Sequence, residues 1–133
     1  MSGPYDLIGP PRPGSNLRPI KFAKQADESE LQVRLRDLRI ETQNFNQEWW
    51  TKHNREFKEG REKFIKHILE TKYPDQMDKT TLSADEMSIF YKDFMNKQWA
   101  NHLQYNIDWQ KRNWTIILLM ARVRLQNIFK FKK

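Results

Sequence analysis

The chain has 133 residues, 38% of them hydrophobic, a mean hydropathy of -0.94 and a formal net charge of +7, which suits one domain with a thin core and leaves no room for a second. It contains no cysteine, and this excludes a disulfide framework, a thiolate metal site, a CxxC redox pair and a cysteine nucleophile. The charge is one-sided: basic and acidic side chains cancel over residues 1–108, and the whole surplus lies in Lys111, Arg112, Arg122, Arg124, Lys130, Lys132 and Lys133, with no acidic residue after Asp108. Such an end suits anionic lipid, nucleic acid or an acidic protein surface, or stands as a solvated basic tail.

Residues 1–26 hold Pro4, Pro10, Pro11, Pro13 and Pro19 beside Gly3, Gly9 and Gly14, a composition that predicts an extended, turn-containing arm. The opening "MSGPYDLIGPPRPG" has no base before Arg12 and no apolar core, so as written it does not read as a targeting sequence. From about residue 28 to 72 proline is absent, and Leu31, Leu35, Leu38, Phe45, Trp49, Phe57, Phe64 and Ile68 recur at spacings of three and four, with Thr42 and His53 in the gaps. That pattern predicts an amphipathic helix about 65 Å long at ~1.5 Å per residue. Asp27 or Ser29 is its expected cap, with Glu30 or Gln32 as the reciprocal partner, and Gly60 its expected bend or break.

"TKYPDQMDKTTL" reads as a connecting loop, and "SADE" after it makes Ser83 an N-cap with Glu86 as its capping-box partner. A second helix, about 83–130, carries Met87, Tyr91, Phe94, Gln98, His102, Tyr105, Trp109, Ile116, Met120 and Val123 on one face. The expected fold is all-α: a long antiparallel two-helix hairpin with coiled-coil-like packing behind a Pro-rich arm, and no strand signal. One seam does not accommodate Trp50, Phe90, Trp99, Trp114, Ile117 and Leu118 as well; the arm, a second chain or lipid must cover those that remain.

The apolar run inside "NWTIILLMARVRLQ" (113–126) is bordered by Arg112 and Arg122 and is less than half the roughly 20 residues that span a bilayer. It either lies on a membrane or packs within the protein.

Catalytic patterns are missing. His53, His67 and His102 share no i,i+3 or i,i+4 spacing, and the residues three before them are Trp50, Phe64 and Trp99, so neither a helical zinc motif nor the Glu-x-x-His of di-iron bundles is present. The carboxylates interleave with Lys and Arg as on a solvated helix face, and no convergent acid, base and nucleophile emerges. His102, on the aromatic seam near Tyr105, is the candidate haem ligand, against the alternative of a hydrogen-bonded seam histidine. Aromatics at helical spacing argue for packing rather than RNA contact, and no RNA-binding module motif occurs.

Three stretches, "IGPPRPGSNLRPIKF" (8–22), "LRDLRIETQNFNQEWW" (35–50) and "LSADEMSIFYKDFMNKQWANHLQYNIDWQKRNW" (82–114), resemble the cytochrome c oxidase assembly factor 8 family, also called mitochondrial apoptogenic protein 1. The resemblance runs from about Asp6 to the C-terminus and is carried by the IGPP...SNLRP arm, an ETQ-x-x-N-Q turn and the YN-x-DW-x-KRN segment. Two departures stand out: Leu7 where an aromatic is expected before IGPP, and a shorter loop at 72–80 than vertebrate members have.

The resemblance implies a non-catalytic mitochondrial factor, made with a cleavable presequence, that assembles or protects cytochrome c oxidase on the matrix side of the inner membrane. Its expected partners are oxidase subunits or intermediates and the anionic membrane surface. The expected partner contacts are Asn16, Leu17, Arg18 and Pro19 in the arm, and Tyr105, Asn106, Asp108, Trp109, Lys111 and Arg112 in the second helix. Either set instead straps the arm onto the second helix, with Arg18 pairing a carboxylate. The expected membrane contacts are Trp114, Ile117, Leu118 and Leu125, with Arg122, Arg124, Lys130, Lys132 and Lys133 meeting anionic headgroups. No cofactor is expected beyond the haem alternative, and the lack of thiolates argues against copper relay. The alternative functions are a haem-binding or redox helper using His102 and a mitochondrial RNA-binding protein.

Overall fold

A computed structural model describes residues 5–131 as two short strands, β1 (Leu7–Ile8) and β2 (Ile20–Lys21), followed by two long helices, α1 (Glu30–Lys72) and α2 (Ala84–Phe131). Both helices start where their polar residues satisfy the free backbone donors. The Ser29 hydroxyl accepts from the Gln32 N–H at 3.2 Å while the Gln32 side chain accepts from the Ser29 N–H at 2.8 Å. At α2 the same reciprocal box joins Ser83 and Glu86, at 3.2 and 3.0 Å.

The helices run antiparallel. Ser29 donates to Gln126 at 2.8 Å at one end, Trp50 meets Tyr105 midway, and Lys72 reaches Glu86 at 3.4 Å at the other. Glu86 anchors the connecting loop, because Tyr73 donates to the same carboxylate at 3.2 Å. These bonds, the Ser83 backbone N–H foremost, hold the Glu86 carboxyl down at about 2.

Rings fill the seam: Phe57, Phe64, Phe90 and Phe94 interlock with centroids 5.2–5.8 Å apart. Gly60 does not break α1, which continues through it. A Cβ there would stand 3.4 Å from the Phe90 ring, an ordinary van der Waals contact, so Gly60 faces the seam. Trp50 and Phe90, doubtful for the seam on spacing alone, both enter it; Trp99, Trp114, Ile117 and Leu118 stay exposed.

The strand pair is the element that the sequence did not announce. Leu7 pairs with Lys21 and Ile8 with Ile20, antiparallel, closing the proline-rich segment into a loop whose tip turns through Asn16 at φ 62°. This arm straps onto α1, not onto α2. The carboxamide of Gln43 pairs with both backbone groups of Ile20, accepting from its N–H and donating to its carbonyl at 3.0 Å. Gln47 accepts from Ser15 Oγ and donates to the Leu17 carbonyl at 3.4 Å, and Asn54 donates to the Gly14 and Ser15 carbonyls at 3.2 Å. The "ETQ-x-x-N-Q" stretch is therefore not a turn: it is mid-α1, and its amides are the seat of the arm.

Candidate functional site

Tyr105 organises the middle of the hairpin. It is buried, stacks on Trp49 at 4.2 Å and Phe45 at 5.6 Å, donates to Asn46 Oδ1 at 2.8 Å and accepts from Trp50 Nε1 at 3.1 Å. Burial pushes its phenol pKa up, so it stays a neutral donor. Trp109 stacks on it one turn on, and the Arg112 guanidinium lies 4.5 Å over Phe45. Three of the six expected contacts of α2, Tyr105, Trp109 and Arg112, thus belong to the seam. Asn106 and Lys111 are exposed and Asp108 is half-buried, accepting from Gln104 at 3.0 Å.

In the arm, Leu17 and Pro19 are tied into backbone bonds: the Leu17 carbonyl accepts from Arg12 at 3.0 Å and that of Pro19 from Gly9 at 2.8 Å. Asn16 forms the turn, and Arg18 is exposed and makes no ion pair among the described residues. The expected Arg18–carboxylate pair is absent among the described residues.

Sequence spacing hid one juxtaposition. His102 on α2 lies 5.9 Å from His53 on α1, centroid to centroid, and both pack edge-on or stacked against Trp49 and Trp50. The signal was available only across the seam, since the two are 49 positions apart. His53 Nδ1 is buried without a hydrogen-bond partner. Desolvation among these rings lowers the His53 pKa; neighbouring His102 adds to that and Glu56 opposes it. On one side His53, without His102, lines a polar cleft of about 250 Å³ together with Glu56 and Asp108. On the other, both imidazoles line an apolar groove of about 480 Å³ with Met95, Trp99 and Leu103.

The sign of the His53 effect is fixed by linkage. An unfolded histidine takes up a proton near pH 6.5, whereas the folded His53 resists it to lower pH, so its contribution is complete above about 6.5 and is lost as the pH falls through the lowered value. The thermal midpoint should fall on acidification from about pH 7.5 to about pH 5, and His53→Phe should flatten that slope. An unchanged slope in the variant assigns the pH dependence to other groups.

The outward face of α2 is apolar as well. Trp99, Trp114 and Leu118 are 63, 64 and 63% exposed, with Ile117 and Leu125 beside them, and Arg122, Arg124 and Lys130 are exposed at its end. Lys132 and Lys133 lie outside the described residues. Among the described residues, the arm's hydrogen bonds run to α1 and not to this face. No described helix is long and apolar enough to cross a membrane, and no three His, Asp or Glu side chains among the described residues form a metal-binding group.

Comparison with known proteins agrees with these features. Residues 5–129 match the model of a family described as cytochrome c oxidase assembly factor 8. The chain is 43% identical over 129 residues to the mouse protein of that name, covering 94% of this chain and 67% of the relative, and equally identical to the human one, of which it spans 63%. A Drosophila melanogaster family protein, named as mitochondrial, is 41% identical over 128 residues, 96% of this chain and 69% of the relative. No solved structure matches the chain. With both the arm and the α2 signature inside the matched span, the chain belongs to the cytochrome c oxidase assembly factor 8 family.

Proposed function

We propose that this protein is a non-catalytic mitochondrial factor for cytochrome c oxidase assembly, acting on oxidase subunits or intermediates from the matrix face of the inner membrane. The names of its relatives support the oxidase and the organelle. The observation that carries the rest is the outward face of α2, whose exposed tryptophans and leucines are too extensive for a solvated helix. On an anionic membrane Trp114, Ile117, Leu118 and Leu125 enter the acyl boundary while Arg122, Arg124 and Lys130 meet headgroups, about 1 kcal/mol for each base. Asn106, Asp108, Lys111 and Arg18 remain accessible for client contact.

The test is the level of assembled oxidase, beside the other respiratory complexes, in cells depleted of the protein and rescued with it. A selective oxidase deficit restored by rescue is expected; normal oxidase removes the reading. Flotation with cardiolipin-containing vesicles tests the membrane part separately, and its binding should fall steeply with salt.

One observation favours a second reading, a haem-binding helper. The groove beside His102 presents a second imidazole, His53, among apolar walls, and neutral imidazole is a haem-iron ligand. A Soret shift on haem titration, lost in His102→Ala, is the expected result; no shift ends this reading.

A further inference from the structure

Where the N-terminal half of α1 faces the C-terminal half of α2, the helices leave an open groove of about 650 Å³. Its floor is apolar, formed by Val33, Leu38 and the buried Leu119. Along its α1 wall stand Glu30, Asp37 and Glu41, all exposed and none in an ion pair among the described residues. A fourth carboxylate at the rim, Glu28, is already paired with Arg36, and Arg34 is the single cation in the lining. An apolar trough thus carries three carboxylates outside any ion pair among the described residues against the one cation Arg34, within a chain whose net charge is +7.

We infer that this groove docks a cationic amphipathic helix of a partner protein. Charge selects the sign, since anionic lipid and nucleic acid are both repelled by Glu30, Asp37 and Glu41. Geometry selects the helix. The carboxylates are separated by seven and four positions on one helical wall, about 10 and 6 Å along its axis at ~1.5 Å per residue, and a partner helix with bases at i, i+7 and i+11 matches that row. Its apolar side then packs on Val33, Leu38 and Leu119, adding a third helix to a pair that has only one seam of its own. The inference names a partner class for the interaction factor proposed above and rests on that reading. It is tested on the purified chain, so its outcome is separate from that of the oxidase experiment.

The probe is a fluorescein-labelled synthetic helix of about five turns, built from Leu, Ala and Arg with arginines at i, i+7 and i+11, followed by anisotropy against the full chain. Binding is expected to weaken with salt and to fall roughly tenfold in E30Q/D37N/E41Q, three exposed charge-to-amide changes that leave the fold intact. E59Q/E62Q/E70Q removes the same charge from the far half of α1 and is expected to bind as the parent does. A scrambled peptide of equal composition is expected to bind weakly. Absence of binding, equal loss in both triple variants or equal binding of the scrambled peptide overturns the inference. Self-association of the chain that E30Q/D37N/E41Q abolishes overturns the choice of occupant and gives the groove to a second copy.

Discussion

Tyr105→Ala should cost about 3–5 kcal/mol of unfolding free energy, the range for removing a large aromatic from a packed site. The side chain is 5% exposed and is wedged between Trp49 and Phe45 with Trp109 beside it. Its hydroxyl also bridges α1 twice, donating to Asn46 and accepting from Trp50. Deleting the ring opens a void that the stacked neighbours can close only by abandoning their own rotamers. Tyr105→Phe separates the two contributions: it keeps the stack and strands the Asn46 and Trp50 polar atoms, for an expected loss of about 1–3 kcal/mol. Urea titration with an unchanged denaturant slope is the measurement. A Phe variant as stable as the parent assigns the role of Tyr105 to stacking alone and makes its hydroxyl available for another purpose.

That residue shows how the sequence can be read and where reading stops. Periodicity put Tyr105 on the seam because a helix repeats every 3.6 residues, and the Ser29 and Ser83 caps followed from local donors that have to be satisfied. Its partners were another matter. Asn46 and Trp50 are polar or bulky residues on α1, and nothing in a one-dimensional pattern sets the register of one helix against the other. The His53–His102 approach was hidden for the same reason. Gly60, read as a weak point from its intrinsic helix penalty, lies inside an unbroken helix against the Phe90 ring, so tertiary packing overrides propensity. The paired acidic and apolar walls of the groove at Leu119 also depend on that register, since α1 brings the carboxylates and α2 part of the floor.

The arm offers the sharpest case. "SNLRP" and "ETQ-x-x-N-Q" looked like two separate features, one suited to partner contact and one to a turn, yet they are two halves of one latch. A glutamine carboxamide offers one acceptor and two donors, so Gln43 can stand in for a β-strand neighbour and close the unpaired backbone of Ile20. Local statistics cannot predict that, because the partner backbone lies 23 positions away. The short β1–β2 pairing is marginal on its own and persists because α1 supplies the remaining bonds.

Gln47→Ala should therefore release the arm while leaving the hairpin folded. Gln47 is 6% exposed, and its loss leaves the buried Ser15 hydroxyl without an acceptor beneath the turn at Asn16, while the Leu17 carbonyl keeps only its bond from the Arg12 N–H. The expected cost is about 1–2 kcal/mol, one buried hydroxyl donor left unpaired and one weaker bond lost. The arm's hydrogen bonds run to α1 and not to the ring-filled seam, so the penalty should appear as local opening rather than global unfolding. Amide exchange at residues 15–20 should accelerate by roughly tenfold, since each ~1.4 kcal/mol is tenfold, while exchange around Phe90 stays at the parent rate. If exchange rises equally in both regions, the arm and the hairpin are a single cooperative unit, and the latch stabilises the fold as a whole. If it rises only in the arm, the exposed Arg18 sits on a segment that can detach, and an interaction partner can compete with α1 for the SNLRP backbone without disturbing the helices.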